Sequence, residues 1–148
     1  MRVLDHDNII KFHEVHETEK SIYLVMELIQ GKPLQDVLRK PTFVEDHSEA
    51  QIMNMFESML DALNYIASLG MMHRDLKPAN ILVERGGKIK IIDFGLATYV
   101  NASDYIFKKC GTPGYIAPEV FNYDAKSPST FYNESCDIFS AGCIFYFL

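Results

Sequence analysis

Between Ser48 and Gly70 apolar residues recur with a helical period: Ile52, Met55, Phe56, Met59, Leu60, Leu63, Ile66 and Ala67 share one face, which predicts an amphipathic helix. Ser48 followed by Gln51 predicts a capping box at its start, and Gly70 suits its end. Ahead of this helix the pattern is β-rich. Ile9 to Val15 and Ser21 to Leu28 flank the polar stretch Glu17-Thr18-Glu19-Lys20, a hairpin signature. Gly31 and Pro33 then break the pattern. Behind the helix, Ile81 to Val83 and Ile89 to Ile92 flank Arg85-Gly86-Gly87-Lys88, and paired glycines tolerate the positive φ of a tight turn, so a second hairpin is expected. Leu96 to Ser135 carries no sustained period and reads as mostly loop, with a short helix after Pro118. The apolar run Ile138 to Leu148 is too short to cross a bilayer and is interrupted by Ser140 and Gly142; a buried helix is expected.

Composition narrows this picture. The chain has 148 residues, 48% of them hydrophobic, with 10 Phe and 8 Tyr, which is enough apolar surface to exclude intrinsic disorder. Fourteen Lys plus Arg stand against 20 Asp plus Glu, a net charge of -6. That balance argues against a partner recognised through an extended basic face, nucleic acid or anionic lipid, though a local basic groove remains compatible with it. Cys110, Cys136 and Cys143 are odd in number and match no zinc spacing. No signal-peptide pattern precedes them, so reduced thiols in an intracellular, cytoplasmic protein are expected.

Candidate chemistry concentrates in the polar loop His73-Arg74-Asp75-Leu76-Lys77-Pro78-Ala79-Asn80, held between the long helix and the glycine hairpin. Asp93-Phe94-Gly95 follows directly at the end of the second hairpin. Phosphoryl transfer needs a carboxylate near the attacking hydroxyl and oxygen ligands for Mg²⁺, and Asp75, Asn80 and Asp93 are oxygen donors on adjacent loops. Further along come Gly111-Thr112-Pro113-Gly114-Tyr115, Ala117-Pro118-Glu119 and Asp137-Ile138-Phe139-Ser140-Ala141-Gly142.

In that order and spacing these stretches resemble the HRD, DFG and APE motifs and the central-helix start of the eukaryotic protein kinases, and the resemblance runs along the whole chain. It implies a truncated, two-lobed α+β fold: residues 1–28 the end of a β-rich N-lobe with a hinge starting near residue 27, and 29–148 a mainly helical C-lobe up to its central helix. The implied cofactors are ATP and Mg²⁺, and the implied partner is a protein substrate with a Ser or Thr acceptor. Asp75 matches the base that orients the substrate hydroxyl, Lys77 the lysine that steadies the phosphoryl group, and Asn80 and Asp93 the metal ligands. Thr112 is expected to contact the catalytic loop. Met26 aligns with the gatekeeper, Glu27 C=O and Ile29 N–H with the hinge groups that read adenine, and Leu82 with the adenine floor. His73 is expected to serve packing and loop hydrogen bonds. Lys77 and the run from Gly111 to Tyr115 are similar to the Ser/Thr branch, and the N-terminal wording to its calcium/calmodulin-dependent group.

The resemblance also exposes departures. The family's glycine-rich loop, β3 lysine, αC glutamate and later C-lobe helices have no counterpart in these 148 residues, so the isolated stretch is expected to be poorly folded and close to inactive. A non-catalytic kinase-like binding module, or a gene relic, is the alternative reading. Lys108 stands where many relatives carry a phosphorylatable Thr, leaving Ser103 or Tyr105 as candidates to serve Arg74 from another register. Ala79 and Pro33 stand where basophilic relatives have glutamates, so weak selection for arginine on the substrate is expected.

Overall fold

In the computed structural model, residues 3–100, 102, 107–124 and 132–148 are described, Val44 by its backbone only. Ser103 and Tyr105 lie outside the described residues. Two antiparallel strands, β1 (Phe12–Glu17) and β2 (Ile22–Met26), form the first hairpin, with a register shift between Phe12 and Glu14. The second hairpin pairs β5 (Ile81–Glu84) with β6 (Ile89–Ile91), turning through Gly86 and Gly87 at φ 83° and 82°. These φ values lie where a Cβ is disfavoured, which is why the turn carries two glycines.

The long helix, which is α3 in chain order, spans Glu49–Ser68. Its N-terminus forms the expected capping box: Ser48 Oγ accepts from Gln51 N–H, and Gln51 Oε1 accepts from Ser48 N–H at 2.9 Å. Gly70, at φ 68°, ends it. Met55, Met59, Ala62, Leu63 and Ile66 are buried, while Ile52, Phe56 and Leu60 pack at the margin of the same core. Around this face gather Ile81, Ile89 and Ile91 from the glycine hairpin, Leu4, Ile9 and Ile10 from the N-terminal segment, and Ala141 and Ile144 from the C-terminal helix. A parallel bridge between Ile9 and Ile91 ties the N-terminal segment to β6.

Several short elements depart from the sequence pattern. Gly31–Pro33 forms a strand, β3, at the end of the sheet ordered β3-β5-β6, with Gly31 opposite Glu84 and Pro33 opposite Leu82. Both pattern-breaking residues fit this edge position. A Cβ on Gly31 would sit 2.8 Å from the Val83 carbonyl oxygen, and proline's missing N–H is tolerated on an edge strand. The short helices α1 (Leu34–Leu38) and α2 (Phe43–Asp46) follow. Met71–Met72 (β4) pairs with Thr98–Tyr99 (β7), closing off the segment between them. A short helix, α4 (Pro118–Phe121), starts at Pro118 as expected, and α5 spans Ser135–Phe145, where Phe145 stacks on Phe56 at 4.2 Å. Among the described residues no helix is long and apolar enough to cross a membrane.

Candidate active site

The polar loop leaves β4 at Met72 and is fastened at once to α5. Asp137, itself buried, accepts the His73 N–H at 2.6 Å on one carboxylate oxygen and the Arg74 N–H at 2.8 Å on the other. Arg74 adopts φ 68°, a left-handed conformation that disfavours a non-glycine residue by about 1–2 kcal/mol, and the two amide bonds offset it. Burial pushes the Asp137 carboxyl above its usual range, opposed by the same two amides and the Arg74 charge. The His73 ring is fully buried, edge-on to Phe94 at 4.8 Å. Its Nδ1 accepts the Asp75 N–H at 3.3 Å, so Nε2 is the protonated nitrogen and donates to the Ile92 carbonyl at 3.1 Å. His73 therefore holds the two candidate loops together.

Asp75 is the centre of the side-chain cluster. One of its oxygens accepts from Lys77 Nζ at 2.7 Å and from Asn80 Nδ2 at 3.2 Å; the other accepts from Thr112 Oγ1 at 2.6 Å. Lys77 Nζ also donates to Thr112 Oγ1 at 2.8 Å, closing a three-residue ring across 37 positions of sequence. The Asp75 side chain is 12% exposed and Lys77 23%, so the carboxylate is largely enclosed. Asn80 spends its amide hydrogens on the Asp75 carboxylate and backbone carbonyl, so its Oδ1 is the atom left for other work. The Asn80 carbonyl accepts the Ile92 N–H at 2.9 Å, bringing Asp93 beside it. Asp93 is exposed, sits at φ 63°, and accepts the Gly95 N–H at 3.2 Å. A Cβ on Gly95 would approach that same oxygen to 3.1 Å.

A family model described as "Protein kinase domain" matches residues 1–148. The chain belongs to the protein kinase domain family. Among curated relatives, mouse Sperm motility kinase 3A is 42% identical over 149 aligned positions, covering 100% of this chain and 28% of its own length. A Dictyostelium discoideum protein named "Probable myosin light chain kinase" is 40% identical, with 100% of this chain and 47% of the relative covered. Calcium-dependent protein kinase 6 of Plasmodium berghei is 44% identical, with 98% and 9% covered. The chain therefore spans less than half the length of these kinases.

In kinase terms, the residues expected around adenine lie at the junction of the two hairpins. Met26 ends β2 opposite Phe12 and is 39% exposed; Ile29 is half-buried against the main core. Glu27 fixes the junction. Its N–H donates to the Lys11 carbonyl, while its carboxylate accepts the Lys11 N–H and Lys90 Nζ, both at 2.7 Å. Lys90 is the register partner of Leu82, so the two side chains share one sheet face, on the side that Glu27 reaches. Burial acts to raise the Glu27 carboxyl, but the hydrogen bonds from Lys90 and Lys11 and the Lys90 charge bring it below its ordinary value. Asn80 Oδ1 and the Asp93 carboxylate are hard oxygen donors on adjacent loops. Such a pair fits Mg²⁺, which takes one or two protein ligands and completes its shell from phosphate and water.

Sequence reasoning missed Tyr132. Its buried hydroxyl accepts from Arg74 Nη1 at 2.9 Å and donates to the Lys108 carbonyl at 2.9 Å. Arg74 also donates to the Leu96 and Phe107 carbonyls, each at 2.7 Å. Tyr132 falls in a stretch without periodicity, and its partner lies 58 positions away, so no local signal marks it. Asp137 was visible only as part of a motif; its bonds to the polar loop come from the fold.

Proposed function

We propose that this kinase-family chain supplies the catalytic loop and metal-holding part of a protein Ser/Thr kinase, which transfers the ATP γ-phosphoryl group to a Ser or Thr hydroxyl of a protein. The observation that carries this reading is Asp75, a nearly enclosed carboxylate joined to Lys77 and Thr112, with the oxygens of Asn80 and Asp93 alongside. Asp75 orients the acceptor hydroxyl and takes up its proton. Lys77, held within the same ring, places positive charge where the transferring group gathers negative charge. Asn80 and Asp93 hold Mg²⁺, which when bound neutralises phosphate charge. Met26, Glu27, Ile29 and Leu82 receive the adenine, Glu27 and Ile29 through their backbone groups.

The same reading extends to regulation and specificity. Arg74 is engaged by the Leu96 and Phe107 carbonyls and the Tyr132 hydroxyl, and Lys108 occupies the position of the usual phosphorylated Thr. On this reading phosphorylation at the usual position is not used, because Lys108 offers no hydroxyl there. Ala79 and Pro33 supply no charge for a substrate arginine, so selection for arginine is weak. The test is transfer of labelled phosphate from Mg²⁺-ATP to a protein substrate by the full protein containing this chain. Asp93→Ala and Asp75→Ala are each expected to lower turnover by roughly 10²–10³-fold or more; unchanged turnover in either variant overturns the assignment.

A further inference from the structure

Bordering β3 lies a cleft of about 820 Å³ that shares no lining residue with the Asp75 cluster. Lys32, Lys40, Arg85 and Lys88 line it, with Glu84 as the sole acid among the lining residues. This is an unusual local balance in a chain of net charge -6. Among the described residues none of the four cations forms an ion pair. Beneath the cations the lining is apolar: Val37 and Val83 are buried and Ile29 half-buried.

We infer that this cleft is a docking groove for an acidic, partly apolar linear segment of a partner protein. The charge pattern calls for carboxylates, and the apolar floor calls for aliphatic side chains between them. The volume exceeds what a single phosphate group fills. His47 is the one ring among the lining residues, with no Phe, Tyr or Trp beside it, so the row of aromatic faces on which successive bases of single-stranded nucleic acid stack is missing. β3, the end strand of its sheet, borders the groove and gives an extended segment a neighbour to lie along. Docking here does not depend on phosphoryl transfer: Ile29 alone of the lining is also assigned to adenine, and the tested residues Lys40 and Lys88 lie outside that assignment. Its failure and the failure of the kinase assignment are therefore separately visible.

The experiment is fluorescence anisotropy of a labelled twelve-residue peptide of alternating Glu and Leu, titrated with the full chain, beside the matching Lys and Leu peptide. The acidic peptide is expected to bind, more weakly as salt rises, and the basic one to show no binding. Lys40→Glu/Lys88→Glu should weaken the acidic peptide at least ten-fold, and Lys40→Gln/Lys88→Gln less. Lys20→Glu/Lys109→Glu, with the same net charge as the first variant but altered outside the cleft, should bind as the parent does. Circular dichroism on each variant verifies folding, and the milder Gln pair carries the test if the Glu pair unfolds. Absence of acidic-peptide binding, equal weakening by the control pair, or displacement of the peptide by single-stranded RNA at lower concentration than by unlabelled peptide would overturn the inference.

Discussion

The first hairpin and the catalytic loop invert the usual relation between polarity and burial. In β2 the apolar residues Ile22, Tyr23 and Leu24 are 66%, 58% and 51% exposed, whereas in and around the loop His73, Arg74, Asn80 and Asp137 are between 0% and 8% exposed. The loop residues tolerate burial because each polar group has a partner: no buried side-chain nitrogen or oxygen among the described residues lacks one. The hairpin, by contrast, is held by its own ladder and by the Glu27 junction, and the described residues leave its apolar side chains uncovered. In this molecule hydrogen bonding, rather than apolar burial, gives the candidate site its shape.

That contrast can be broken most sharply at Asp137. Asp137→Ala leaves two buried amides without acceptors and should destabilise the chain by roughly 3–5 kcal/mol, against under about 1 kcal/mol for Leu24→Ala in the hairpin. Urea unfolding of both variants measures the difference, and equal losses would contradict it. Next in size is Tyr132→Phe. Removing the hydroxyl that bridges Arg74 and the Lys108 carbonyl should weaken the fold by about 1–2 kcal/mol and speed amide exchange around residues 107–116, leaving exchange in α3 unchanged. Gly86→Ala, at φ 83° with open space around it, tests the glycine turn through backbone conformation alone. A loss of about 1 kcal/mol in thermal melts is expected.

The smallest effect belongs to the junction between the regions. Because the folded-state pKa of Glu27 lies below its unfolded value, the stability it contributes is present above the ordinary Glu range and is lost as pH falls through the folded value. The stability difference between the parent and Glu27→Gln, under about 1 kcal/mol near neutrality, should therefore vanish in mildly to strongly acidic buffer. Urea midpoints across that range measure it.

What was legible in the sequence is what local chemistry determines. The α3 face, its capping box, the glycine hairpin and the helix after Pro118 each rest on residues within a few positions of one another. β3 was hidden because Gly31 and Pro33 signal a break while also satisfying an edge strand that a distant partner, β5, creates. The two-residue pairing of β4 with β7 is too short to carry a period. At the site, the motifs pointed to Asp75, Lys77, Asn80, Thr112 and Asp93; hydrogen bonds join the first four, and the Ile92–Asn80 backbone bond sets Asp93 on the adjacent loop. The attachments that hold the loop, Asp137 to the His73 and Arg74 amides and Tyr132 to Arg74, span about sixty positions, where no pattern in the chain reaches.

The most direct test of the central claim is to titrate isotope-labelled chain with Mn²⁺ and ATP and read paramagnetic broadening of its amide resonances. Broadening centred on Asp75, Asn80, Asp93 and Gly95, lost in a folded Asp93→Asn variant, is the expected result. Broadening centred elsewhere, or unchanged in Asp93→Asn, would contradict the assignment of this loop pair as the metal-nucleotide site.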